Sequence, residues 1–394
     1  MCFLWHFPWG RPRWPLTSTL PVESGLSSPA DVGRGDRPTH SMDALRVSGG
    51  ATRVKRAVRI IRAVKTALAL LMAAAAIAAL PPARSSFAPP FGAWTRLHGG
   101  EPILVPQGTG FEAAGVFNPA VIKDGDRYVM LYRAQDGKGT SRLGMATGRD
   151  GIHFTRESEP ALVPEADYER GGGVEDPRLV KIGATFYLTY TAYDGKDAQL
   201  ALATSPDLRR WERRGVIMPA NVGRWNVKWT KSGAILTEPV GGRYWMYYMA
   251  DAAAGSDQMG VAYSTDLLRW TEALDAPVLG RRPGAFDSRV VEPGPPPVML
   301  REGVLLVYNG ADDGLVYRTG WALFDRNDPT RVIARSDRPI FEPQRGWERA
   351  GQVPNVVFVE GLVRESGRWL FYYGGADRHV GVAEAVVLEG GSLR

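Results

Sequence analysis

Five short segments combine residue types that packing alone does not require: Phe117-Asn118-Pro119-Ala120, Gly173-Val174-Glu175-Asp176-Pro177-Arg178-Leu179, Trp229-Thr230-Lys231-Ser232-Gly233, Val291-Glu292-Pro293-Gly294-Pro295-Pro296-Pro297 and Phe358-Val359-Glu360-Gly361. Each stands about 10 to 15 residues ahead of a run rich in Tyr, Trp and aliphatics. Charged groups crowded at one repeated place are costly unless they are paired, hydrogen-bonded or in use. A structural network is the plain alternative, with Glu175 or Asp176 pairing with Arg178; five coincident cases favour a site. Two carboxylates across a concave pocket can divide general-acid and general-base work, and glycoside hydrolysis asks for this and little else. That chemistry requires no metal or other cofactor. The chain has no H-E-x-x-H, P-loop or G-x-S-x-G pattern. Its five histidines are dispersed: His6 and His40 stand near the N-terminus, and His98, His153 and His379 read as surface or network residues.

The aromatic runs must position these segments. They begin at Arg127, Thr185, Arg243, Val304 and Arg368, so their spacings are 58, 58, 61 and 64 residues. Each is followed by a strand containing Ala or Gly, as in L-G-M-A-T from Leu143 and M-G-V-A-Y from Met259. A repeat of about 60 residues holding several short strands is what radially arranged four-stranded sheets produce, since one such sheet cannot bury both faces alone. The expected fold is therefore an all-β, five-bladed β-propeller. Tyr and Trp at period two read as packing between blades. Innermost strands converge at one mouth, so polar residues distant in sequence can face one pocket.

Of the 394 residues, 44% are hydrophobic and 23% charged, an ordinary globular balance. The net charge of +6 is unevenly placed: residues 1–83 hold 11 Lys/Arg and 4 Asp/Glu, leaving 37 and 38 in the rest. A nearly neutral body lacks the basic footprint of a nucleic-acid binder. The single cysteine, Cys2, excludes disulfides within the chain and a cysteine nucleophile in the main domain. Residues 1–52 read as a disordered leader or an upstream start, with Met42 an alternative initiator. Residues 53–83 read as a signal peptide or signal anchor: a basic stretch, fifteen uncharged residues from Thr66 to Leu80, and Ala76-Ile77-Ala78 as a cleavage pattern. Both forms export the domain expected over 84–394. Membrane contact follows only from an uncleaved anchor, through residues 57–80.

Together F-N-P-A, Y-R-A-Q-D-G, G-V-E-D-P-R-L, W-T-K-S-G-A-I-L, E-P-G-P-P-P, Y-N-G-A-D-D, G-Q-V-P-N-V-V-F and Y-Y-G-G-A-D resemble glycoside hydrolase family 130 over roughly residues 95–390. That resemblance implies a five-bladed propeller that cleaves β-mannosides with inversion, by phosphorolysis or hydrolysis. It places the general acid on Asp176, acting through a hydroxyl of the mannosyl unit. It also places sugar contacts near the −1 subsite on Asn118, Arg133 and Asp377, and makes Arg178 a supporting partner of Glu175 and Asp176.

The departures carry information. Phosphorylases hold a dianion with several basic groups, and Lys231 is the expected remnant of that set. The family's H-R-P segment corresponds here to Tyr248-Met249-Ala250-Asp251, and its Y-H-G to Tyr308-Asn309-Gly310, with Asn309 counted among the expected substrate-binding residues. Neutral and acidic groups in those places favour hydrolysis, with Glu292 the leading base and Asp251, Glu238 and Glu360 behind it. The leading expectation is thus an exported inverting hydrolase acting on β-mannosides or mannose-containing oligosaccharides. A phosphorylase of the same fold is second, and a non-catalytic sugar-binding propeller third. Loops 105–117 and 275–290 are the expected contributors to linkage specificity.

Overall fold

The aromatic runs are buried almost end to end, with no alternation of inside and outside. Eight of the nine residues of Arg127–Gln135 are buried, as is the whole of Val304–Ala311. A strand covered on both faces selects apolar residues at every position, which is why these runs read as continuous rather than amphipathic. The computed structural model describes residues 87–222, 225–252, 256–365 and 367–388. The readings of 1–52 as a leader and 53–83 as a signal lie outside the described residues. Among the described residues no helix is long and apolar enough to cross a membrane.

A short strand, β1 (Thr95–Arg96), precedes the repeats. The first unit then comprises β2 (Gly115–Asp124), β3 (Arg127–Gln135), β4 (Ser141–Gly148) and β5 (Phe154–Arg156). The second comprises β6 (Gly173–Ile182), β7 (Thr185–Tyr193), β8 (Ala198–Ser205) and β9 (Glu212–Met218). The third holds β10 (Thr230–Ile235), β11 (Tyr244–Asp251), β12 (Asp257–Ser264) and β13 (Thr271–Glu272). In the fourth, an interrupted inner strand, β14 (Val290–Pro293) and β15 (Val298–Met299), pairs with β16 (Val304–Ala311), followed by β17 (Tyr317–Phe324) and β18 (Val332–Arg335). The fifth has β19 (Val357–Glu365), β20 (Arg368–Gly375) and β21 (His379–Val386), and β1 completes it through Thr95↔Glu384 and Arg96↔Ala383. Pairing inside each unit is antiparallel, as in an all-β, propeller-like fold.

Apolar clusters join the units in cyclic order. Leu131 of the first packs with Leu179 and Phe186 of the second. Leu202 of the second meets Met246 of the third, Tyr247 of the third meets Leu306 of the fourth, and Val307 of the fourth meets Phe371 of the fifth. Val382 of the fifth returns to Met130 of the first. Parallel bridges reinforce three joints, at Ser141↔Gly173, Asp257↔Val290 and Tyr317↔Val356. Gly173 has φ 121°, and a Cβ there would lie 2.1 Å from the Ser141 carbonyl oxygen, so the first joint requires glycine.

The repeated tyrosines do more than pack. In the second unit Tyr190 Oη donates to Glu169 at 2.6 Å, while Arg213 Nε reaches the same carboxylate at 3.0 Å and its Nη2 donates to the Val163 carbonyl. In the first unit Tyr132 donates to Glu112, and Arg156 binds Glu112 at 2.8 Å and the Val105 carbonyl at 2.8 Å. Tyr308, Asp287 and Arg335 do the same with Gly280 O, as do Tyr373, Glu348 and Arg96 with Glu342 O. In each case a loop acid entering the unit is latched by a second-strand tyrosine and an outer-strand arginine. The third unit reverses the charge: Glu272 stands on the outer strand β13 and takes bonds from Tyr248 and, at 3.4 Å, from Asn226 of the loop.

Candidate active site

The inner strands break their ladders at one shared place. Register shifts fall between Phe117 and Pro119, Glu175 and Arg178, Lys231 and Ala234, and Val359 and Gly361. Asn118, Asp176 and Ser232, within these breaks, have φ of 51°, 47° and 60°. A bulge takes its extra residue out of the alternation and re-aims the side chain. Here the bulges gather Asn118, Asp176, Ser232 and Glu360 into one polar cluster. Glu292 joins from the interrupted inner strand of the fourth unit, and Asp377 from the turn after β20, at φ 52°.

The bonds are specific. Asn118 Nδ2 donates to Asp176 Oδ1 at 2.8 Å. Arg133 donates to the same oxygen at 3.2 Å and to Glu175 Oε1 at 2.6 Å, and Ser141 Oγ adds a bond to Glu175 at 3.0 Å. Ser232 Oγ donates to Glu292. Arg178, 1% exposed, ties three units: it reaches the carbonyls of Pro293 and Gly294 at 2.8 and 3.2 Å, the Asp176 carbonyl at 3.1 Å, and Glu360 Oε1 at 2.9 Å.

Burial would raise Asp176, but the charges of Arg133 and Lys231 outweigh it, and the carboxyl is held below its usual range. Burial would strip Lys231 of its proton, but Glu292, Asp176 and Asp257 hold the ammonium charged. Glu292 moves upward because burial exceeds the pull of Lys231 and Arg178. Burial drives Glu360 well above the carboxylate range. Asp377 is pushed up to about 7, chiefly by burial and against the pull of Arg133. The cluster therefore carries less negative charge near neutrality than its formal acids suggest. A carboxyl raised in the folded state keeps its proton there between about pH 4 and pH 7, where the unfolded chain has released it. The contribution of Asp377 to stability falls as pH rises through that window, and Asp377→Asn is expected to remove that part of the slope in urea melts recorded across it.

Residues 103–389 match the family described as beta-1,4-mannooligosaccharide phosphorylase. The chain belongs to glycoside hydrolase family 130. It is 38% identical over 294 residues to a 1,2-beta-oligomannan phosphorylase of Thermoanaerobacter sp. (strain X514), covering 72% of this chain and 94% of that one. A Beta-1,2-mannobiose phosphorylase of the same organism is 35% identical with the same coverages. A solved structure described by the words "The GH130 family of mannoside phosphorylases contains glycoside hydrolases that target beta-1,2 mannosidic linkages in Candida mannan" superposes with a TM-score of 0.70 at 34% identity, covering 77% of this chain and 95% of that one.

Within this family 130 fold, Asn118, Arg133, Glu175, Asp176, Lys231, Glu292, Glu360 and Asp377 come together, and four expectations need correction. Glu238 lies in the exposed turn after β10, beside Pro297 and Arg326 in a separate cleft of about 510 Å³, so it has no place as a base. Asp251 is buried, but its carboxylate takes the Ser256 amide at 3.4 Å; it is Asp257, bonded by Trp229 Nε1 at 3.1 Å, that acts on Lys231. Asn309 is used as a stitch: its amide exchanges bonds of 3.0 Å each way with the Val359 backbone and accepts from Thr319 at 3.2 Å. Arg178 supports Asp176 through the backbone and pairs with Glu360, where pairing with both neighbouring acids was expected. Ser141 and Asp257 were missed; each opens the third strand of its unit, a repeat position that the sequence displays. Among the described residues no group of three or more His, Cys, Asp and Glu could hold a metal ion. The 105–117 loop borders a cleft of about 600 Å³ lined by Phe111, Asp136, Lys138 and Arg142.

Proposed function

We propose that this chain is a five-bladed β-propeller enzyme that cleaves β-mannosides with inversion and uses inorganic phosphate as the acceptor. The observation that carries it is the buried Lys231 ammonium, held charged in the same cluster as Asp176. The sequence expectation of hydrolysis rested on too little positive charge to hold a dianion. Arg133, Arg178 and Lys231 all enter the cluster, and burial keeps some of the facing acids protonated. The phosphorylases among its relatives support the same reading.

In this reading Asn118, Arg133 and Asp377 hold the mannosyl unit. A phosphate oxygen attacks its C1 from the face opposite the leaving group, the C1–O bond breaks, and the leaving oxygen takes a proton that originates on Asp176 and passes through a mannosyl hydroxyl. Asp176 is ionised at rest. A dianion beside Lys231 offsets the charge that holds Asp176 low, so phosphate binding itself prepares the acid. Inversion makes the product α-mannose 1-phosphate.

Hydrolysis is the second reading, favoured by Glu292, whose carboxyl stands beside Lys231 and Ser232 where it could activate water. Export, expected from residues 53–83, favours it too, because sugar phosphate made outside the cell is lost. Incubating the protein with β-1,2- and β-1,4-mannobiose, with and without phosphate, separates the readings. Mannose 1-phosphate formed only with phosphate is expected. Free mannose released at a rate indifferent to phosphate would establish hydrolysis instead, and no release from either sugar would leave a binding propeller.

A further inference from the structure

The residues that open the third strands, Ser141, Ala198, Asp257, Tyr317 and His379, occupy one place in the repeat, facing Gln135, Tyr193, Asp251, Ala311 and Gly375 across their hairpins. Two of them already serve the polar cluster. Ser141 bonds Arg133 Nε and Glu175 at 3.0 Å each, and Asp257 takes the Trp229 indole and acts on Lys231. Tyr317 holds this place in the fourth unit. It is 4% exposed, and its hydroxyl finds no hydrogen-bond partner among the described residues. Buried hydroxyls are nearly always satisfied, and leaving one unmade is costly.

The ring is well fixed. The Tyr317 amide donates to the Asn355 carbonyl at 3.0 Å, and its backbone bridges Val356 of the fifth unit. Its ring lies 6.0 Å from that of Phe358, which packs beneath the Arg178 guanidinium at 5.8 Å. The charge of Asp377 acts on the Tyr317 hydroxyl, adding to the effect of burial. Ala376, the residue before Asp377, donates its amide to the Val356 carbonyl at 3.1 Å, and Val356 is the residue that Tyr317 bridges, so the tyrosine stands beside the turn that carries Asp377.

We propose that Tyr317 contacts the substrate, its hydroxyl and the Asp377 carboxyl bracketing one hydroxyl of the bound sugar and so selecting sugars that carry it. The proposal rests on the β-mannoside reading above. A sugar hydroxyl between these groups donates to one and accepts from the other, which satisfies the tyrosine. Sites built to bond a particular hydroxyl reject analogues that lack it far more strongly than apolar pockets do.

Tyr317→Phe tests this, because it deletes only the hydroxyl and breaks no hydrogen bond among the described residues. The variant is expected to keep its melting temperature and to lose about 10- to 100-fold in kcat/KM. Against a panel of monodeoxy mannosides, the wild type should lose a similar factor with one analogue, and the variant should lose nothing further with that analogue. Unchanged kcat/KM in the variant, or a further loss of the same size with every analogue, would overturn the assignment. Mannose binding by calorimetry reads the contact without turnover. A wild type inactive on every β-mannoside defeats the functional reading alone, while weaker or unchanged mannose binding by Tyr317→Phe still decides the contact.

Discussion

Replacing Asp176 by asparagine is expected to lower β-mannoside turnover by about a thousandfold, the scale of a lost general acid, and to leave mannose binding measurable. The asparagine can still accept the bond from Asn118 that Asp176 Oδ1 accepts at 2.8 Å. What it loses is the transferable proton and the ion pair with Arg133 at 3.2 Å. An acid acts in its protonated form, so Asp176 sets the alkaline limb of the wild-type pH profile, and the residual activity of the variant should lack that limb. Phosphate beside Lys231 should shift the limb to higher pH in the wild type. A folded variant that keeps more than about a tenth of wild-type turnover would remove Asp176 from this role, since a lost acid costs at least about a hundredfold.

The largest loss of stability is expected from Glu169→Ala. Glu169 is fully buried and serves Tyr190 at 2.6 Å, Arg213 at 3.0 Å, and the amides of Glu165 and Ala166 at 2.8 and 3.0 Å. Removing one partner of a buried pair leaves the others uncompensated, at a cost of about 3–5 kcal/mol. For a domain of this size that lowers Tm by roughly 6–15 °C. Burial would raise this carboxyl, but the Glu165 amide, Tyr190 and Arg213 hold it below its usual value. A depressed acid contributes stability above its unfolded pKa of about 4.3 and loses it as pH falls through the folded value. The gap between wild type and variant should therefore narrow in acid. Glu272→Ala, at a half-buried acid that takes bonds from Tyr248 and Asn226, should cost less than the loss of the fully buried Glu169. Calorimetric melts of both variants across pH decide this, and equal losses would count against the latch.

The repeat was legible because strands covered on both faces write an unbroken aromatic run, and five such runs at near-constant spacing leave few other folds. The polar segments were legible for the same reason: they interrupt an apolar rule at one repeated place. Their aim was not. Whether Asn118 or Asp176 points at the cluster depends on a bulge, and a bulge leaves no mark in a period-two pattern. Glu238 and Glu292 look alike as acids after an inner strand begins, yet one ends in an exposed turn and the other beside Lys231. Asn309 shows the same limit, since only the Val359 backbone, 50 residues away, reveals that its amide is occupied. Formal charge also misled: counting acids ignored that burial keeps Glu360 protonated. The latches could have been found. Tyr132, Tyr190, Tyr248 and Tyr373 stand sixth in their runs and Tyr308 fifth, with an acid in four of the five preceding loops.

Because β1 completes the fifth unit against β21, vectorial synthesis imposes an order on assembly. The inner four sheets can form as they leave the ribosome. Among the described strands, the one translated first must wait, solvated and unmatched, for the one translated last. Until then β21 presents a bare edge, the surface on which strands of other nascent chains would zip. Removing the chain through β1 exposes that edge permanently, so products lacking Thr95–Arg96 should appear as aggregates rather than as smaller soluble proteins.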